Sequence, residues 1–193
     1  VSYLGSEIGN LDAEDITTRE SGVGYVFTKY VGNDGLDGSY NLANVAPTGE
    51  RKMVNFAERA CQINTYGNSF TQGAQVNDGE TWQEDLAAHL GEPVRNFGVG
   101  GYGVFQAFKR MLRKEGTDVC AENIILNIWS DDHFRSIFEW RGLHYYKDYF
   151  GFSGPWAYLR LDLQSGGFEE LPNPCPTTDS LYVMCDEDYV YER

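Results

Sequence analysis

No apolar run in the 193 residues approaches the ~20 that a membrane-spanning helix needs, so no such helix is expected. Basic residues are scarce: 15 Lys plus Arg stand against 29 Asp plus Glu, a net charge of −14. A surface that acidic repels phosphate backbones and anionic membrane faces, which sets nucleic-acid binding aside. It suits a protein kept soluble in salty or extracellular fluid. No basic and then apolar leader opens the chain, so a targeting peptide is expected to lie outside it. There is no CxxC pair, which removes both zinc-ribbon spacing and the thioredoxin pattern. Repeats and low-complexity tracts are also missing. What remains, 41% apolar and 23% charged, is the composition of a globular chain of about one domain.

The four cysteines, Cys61, Cys120, Cys175 and Cys185, suit two disulfides in an oxidising compartment or four buried thiols in a reducing one. Cys175 and Cys185 flank a proline-rich, loop-like stretch where a thiol would otherwise be exposed, which favours disulfides.

Residues 1–60 are dense in turn formers and read as irregular, with one strand-like stretch at 24–30 (GYVFTKY). The run 33–38 lacks the acids of a calcium loop and reads as a glycine-rich turn. The middle of the chain is clearer. Strands are predicted at 62–66, 94–97 and 123–129, the last apolar enough to be buried on both faces. Between them the spacing predicts helices over 80–90 and 104–113. Thr81 or Asp78 is the N-cap of the first, and Gly91 its C-terminal stop. Strand, helix, strand, helix, strand is the pattern of a parallel sheet with crossover helices. An aromatic-rich segment follows at 139–158, which reads as core or lid packing more readily than as a sugar-stacking platform. A hairpin is then expected over 158–171 and an acidic loop over 173–193.

Ligands of such sheets sit at the carboxyl ends of the strands. Three loops fall there. Residues 67–71 present Ser69 between a strand and a helix, where its hydroxyl and backbone amide can face one pocket, as acyl transfer requires. The alternative is an ordinary turn serine. Residues 98–103 (GVGGYG) offer bare glycine amides that can approach an oxyanion, or else form a plain tight turn. That run follows the second strand and not the first, so a dinucleotide cofactor is set aside. Residues 130–133 add Asp131, Asp132 and His133. No cofactor and no metal are expected.

These residues resemble a family. Residues 63–73 (INTYGNSFTQG) look like the first block of the SGNH (GDSL-like) hydrolases, in which a Gly-Asp-Ser motif carries the nucleophile. Residues 96–103 (NFGVGGYG) are similar to the second block, whose glycine amide contributes to the oxyanion hole. Residues 129–132 (WSDD) fall at the Gly-x-Asn-Asp block. All three blocks are in order over residues 60–135. The resemblance implies Ser69 as nucleophile and amide donor, Gly101 as second oxyanion donor, and Asp131 in the place of the third donor, an asparagine. An ionised carboxylate donates no hydrogen bond, so Asp131 is a departure from the pattern.

The larger departure is the base. No Asp-x-x-His is present, and the histidines are His89, His133 and His144. His133, after the third strand, is the substitute base to examine; otherwise the histidine is expected beyond Arg193. The resemblance thus implies a three-layer, flavodoxin-like α/β fold with an incomplete sheet and a small β-hairpin insertion. Its divisions are an N-terminal segment over 1–60, the α/β core over 61–135 and an aromatic, hairpin and loop region over 136–193. A C-terminal half or a second chain would complete the sheet beside the strand at 123. The family's topology makes the strands at 62 and 123 neighbours, which implies a Cys61–Cys120 disulfide and leaves Cys175 with Cys185. The implied activity is secreted or periplasmic hydrolysis of O-acyl esters, O-acetyl carbohydrate esters among them. The alternative is an inactive SGNH-like domain that binds carbohydrate or serves structurally.

Overall fold

A computed structural model describes residues 17–20, 24–27, 29–33, 40–139, 157–172 and 179–191. The N-terminal region is not irregular throughout. Strand β1 (Thr17–Glu20) pairs antiparallel with β2 (Gly24–Phe27), and β3 (Lys29–Asn33) with β4 (Tyr40–Asn44). The stretch expected as one strand at 24–30 is divided between two hairpins. These strands are rich in Asn, Gly and charged residues, so the period-2 apolar alternation that marks a strand is faint.

The centre is a mixed α/β unit built on three parallel strands. β5 (Ile63–Tyr66) lies between β6 (Val94–Asn96) and β7 (Asn123–Leu126). The crossover from β5 to β6 carries a one-turn helix α1 (Ser69–Gln72), a 3-10 turn (Asp78–Glu80) and α2 (Trp82–Leu90). Thr81 caps α2, accepting from the Glu84 amide, and Gly91 ends it in the left-handed conformation (φ 76°), a geometry in which a Cβ is costly. The crossover from β6 to β7 is α3 (Val104–Glu115), and α4 (Asp132–Ile137) follows β7.

Side-chain alternation along β5 fixes the layers. Thr65 Oγ1 accepts from Gln83 Nε2 of α2 at 3.0 Å, while Asn64 Nδ2 donates to Glu115 Oε1 of α3 at 2.7 Å on the opposite face. The two helices therefore cover opposite sides of the sheet. On the α3 side Tyr66 stacks on Phe97 with ring centroids 5.2 Å apart, and Val119, Met111 and Leu126 close this small core. Arg110, buried in the same layer, donates to the carbonyls of Phe97 and Gly49.

Residues 41–59 belong to this unit. Arg51 pairs with Asp78 and donates to the carbonyls of Gln72, Gly73 and Val76, holding the far end of α1. The Arg51 amide bonds Asn96 O at 2.8 Å and so occupies the outer edge of β6.

The outer edge of β7 has no strand beside it among the described residues. The expectation that this strand is buried on both faces is corrected: Ile124 is 45% and Ile125 38% exposed. They are level with Asn64 and Thr65 respectively, one on each face, so neither helix layer reaches past β5 to cover them. Apolarity marks what a strand is able to bury, and among the described residues no neighbouring strand takes up that capacity.

β8 (Tyr158–Asp162) and β9 (Gly167–Leu171) form the expected antiparallel hairpin. Beyond it the acidic tail is not wholly loop: a 3-10 segment spans Asp179–Cys185 and α5 spans Glu187–Tyr191. Among the described residues no helix is long and apolar enough to cross a membrane. Cys61, Cys120 and Cys185 are free thiols, so neither expected disulfide is made; Cys175 lies outside the described residues. The strands at 63 and 123 are indeed neighbours, but Cys61 Sγ turns the other way, 3.2 Å from Pro93 O on the β6 side.

Candidate functional site

The loops after β5, β6 and β7 meet at one end of the sheet. The first begins with Gly67, whose carbonyl accepts from the Val99 amide of the second loop at 3.1 Å. Asn68 caps α1, its Oδ1 accepting from the Phe70 amide at 2.8 Å. The other end of that side chain reaches the third loop, where Asn68 Nδ2 lies 2.9 and 2.8 Å from the two oxygens of the buried Asp132 carboxylate. Asp132 also accepts from the Trp129 amide and is paired with Arg135 at 3.2 Å. This places Ser69 at the first position of α1, half-buried. Neither its hydroxyl nor its amide has a hydrogen-bond partner among the described residues.

The glycine loop packs tightly against that turn. A Cβ on Gly98 would stand 2.4 Å from the Gln72 backbone nitrogen, and one on Gly100 would stand 3.8 Å from Ser69 Cβ. Its amides can be accounted for one by one. Gly98 donates to Asn96 Oδ1, Val99 to Gly67 O, Gly100 to Gln72 Oε1, Tyr102 to Val99 O and Gly103 to Gln106 Oε1. Gly101 is left. Its amide has no acceptor among the described residues, and its φ of 82° is one that glycine adopts readily. Gly101 is also the residue that the SGNH resemblance implies as an oxyanion donor.

Asp131 and Asp132 separate sharply. Asp131 is 54% exposed at the side chain and pairs with Arg135 Nη2 at 3.3 Å, while Asp132 is 2% exposed and ties the third loop to the first. Arg135 also reaches Tyr102 O at 3.5 Å, and so joins the second loop to the third. Sequence reasoning placed Asp132 in the third loop without a role of its own and passed over Gln72 and Arg135. The doublet Asp131-Asp132 was the available signal, since adjacent positions point in different directions and only one of the two could face solvent.

His133 follows the carboxyl end of β7, the same end of the parallel sheet as Ser69. Its side chain, however, lines an apolar cavity between α3, α4 and the β8–β9 hairpin, and no described contact joins its ring to Ser69. His89 is in the last turn of α2, toward the opposite end of the sheet, and His144 lies outside the described residues. Beside Ser69 the exposed Phe70 ring meets Trp129 edge-on at 5.5 Å, giving the site an aromatic border. Comparison with protein-family models, curated proteins and solved structures finds no match to this chain.

Proposed function

We propose that this chain is an SGNH-type serine ester hydrolase with Ser69 as nucleophile. The observation that carries the reading is the pair of unused groups on touching loops: the Ser69 hydroxyl and amide on one, the Gly101 amide on the other. In the reaction Ser69 Oγ attacks the carbonyl carbon of an O-acyl ester and gives up its proton to a base. The Ser69 and Gly101 amides hold the oxyanion, and collapse expels the alcohol and leaves an acyl-serine, which water cleaves. Asn68 and Asp132 keep the nucleophile turn rigid and do not react. Carbohydrate O-acetyl esters are among the substrates this family resemblance suggests. A secreted or periplasmic setting rests on the acidic composition alone.

A second reading has its own support. The carboxylate of Asp131 is held by Arg135 and donates nothing to an oxyanion, and the His133 ring faces the apolar cavity. An SGNH-like domain that binds carbohydrate or acts structurally, without catalysis, has this arrangement. The decisive assay is hydrolysis of p-nitrophenyl acetate and butyrate by the wild-type chain and by Ser69→Ala. Turnover that falls to background in the variant supports the hydrolase; equal rates in the two proteins reject it in favour of the inactive domain.

A further inference from the structure

Between α3, α4 and the β8–β9 hairpin is a cavity of about 520 Å³, within the ~300–1,000 Å³ range of small-molecule sites. Three separate elements wall it: Phe105 and Phe108 of α3, Phe134 and Ile137 of α4, and Leu161 and Phe168 of the hairpin. Protein interiors close-pack, and apolar side chains left around open space forfeit contact energy unless something fills it. Among the described lining residues polar partners are few. The Ser136 hydroxyl is consumed, accepting from the Phe105 amide at 3.1 Å and donating to Asp132 O at 3.0 Å. Of the described lining side chains, the His133 ring, which has no hydrogen bond among the described residues, is the polar group left to meet a ligand.

We infer that this cavity binds a neutral aliphatic chain ending in a single polar group that meets His133. A sugar has too many hydroxyls for one partner, and burying them unpaired is costly. Charge selects against the other occupants. With a net charge of −14, the molecule repels both a fatty-acid anion and a second copy of itself. Lys109 of α3 is already paired with Glu170 of the hairpin, so it is not left as a counter-ion for a fatty-acid carboxylate. The site does not depend on Ser69 being a nucleophile. If Ser69 is one, the chain is the apolar arm of its ester.

The test is calorimetric titration of the full chain carrying Ser69→Ala with n-decanol and, separately, with decanoate. Saturable 1:1 binding of decanol is expected, with a negative heat-capacity change. Phe108→Trp, which fills the cavity from a partly exposed position, and Phe168→Asp, which charges an exposed wall, should each weaken it about tenfold or more. The inference is overturned if decanol does not bind, if both variants bind it as tightly as their parent, or if decanoate binds equally well. It is also overturned if sedimentation shows a dimer that Phe168→Asp dissociates, because a second copy then fills the face. Decanol binding without hydrolysis of any ester would reject the Ser69 reading and leave the cavity's role standing.

Discussion

Asn68 and Asp132, 64 residues apart, form a buried clamp in which one amide nitrogen spans both carboxylate oxygens at 2.9 and 2.8 Å. The clamp joins the loop that presents Ser69 to the loop after β7, and Arg135 extends it to the glycine loop. Three strand ends are thereby held together by a few charge-assisted bonds, each stronger than a neutral pair.

Asp132→Ala leaves the Asn68 amide and one side of Arg135 unpaired in a buried place. It should cost about 3 kcal/mol of stability and reduce any esterase activity, whereas Asp131→Ala, at an exposed pair, should cost under about 1 kcal/mol. Urea midpoints of the two variants check the contrast.

Gly98→Ala should be among the most damaging single-methyl changes. The added Cβ meets the Gln72 backbone nitrogen at 2.4 Å and the Thr71 carbonyl carbon at 2.7 Å, and backbone cannot step aside as a flexible side chain can. A loss of about 2–3 kcal/mol is expected. Gly91→Ala, with open space around it and only the left-handed φ against it, should cost about 1 kcal/mol. Thermal melts of the two proteins give the ranking.

Tyr66 is held protonated far above the ordinary tyrosine range, first by burial and then by its hydrogen bond to the Glu115 carboxylate at 2.5 Å. The unfolded chain releases that proton near pH 10, where the folded chain keeps it. The Tyr66 contribution is therefore complete below about pH 10 and declines as pH rises beyond it. Tyr66→Phe should lower stability by about 2 kcal/mol at neutral pH. The gap between wild type and variant should narrow above pH 10, measured by urea unfolding across the alkaline range. A gap that widens there contradicts the assignment.

Thiol titration separates the cysteines. Cys120 and Cys185 are exposed and should react with an aromatic disulfide reagent in the native protein, while Cys61 should react only after denaturation. Mass analysis of tryptic peptides identifies which sites are modified; a Cys61–Cys120 crosslink would refute the geometry described above.

The alternation of strand and helix from residue 62 to 129 is legible because each element is local: apolar spacing, Thr81 as cap and Gly91 as stop need no distant partner. The glycine run at 98–103 was legible as a loop directly after a strand, whereas Gly101 as an oxyanion donor came only from the resemblance to the SGNH hydrolases. Local patterning was enough to place the elements of the central sheet and the order of the three loops. Which amide of the glycine run lacks a described acceptor depends on the fold as well, because Gly67 and Gln72, which take the Val99 and Gly100 amides, come from another loop, while Asn96, Val99 and Gln106 are local. The fold also decides that Asp132 is buried and Asp131 exposed, that Cys61 faces Pro93 and not Cys120, and that no described strand lies along the outer edge of β7. Each depends on which segment lies alongside, and residue type carries a capacity to be buried or bonded without naming the partner.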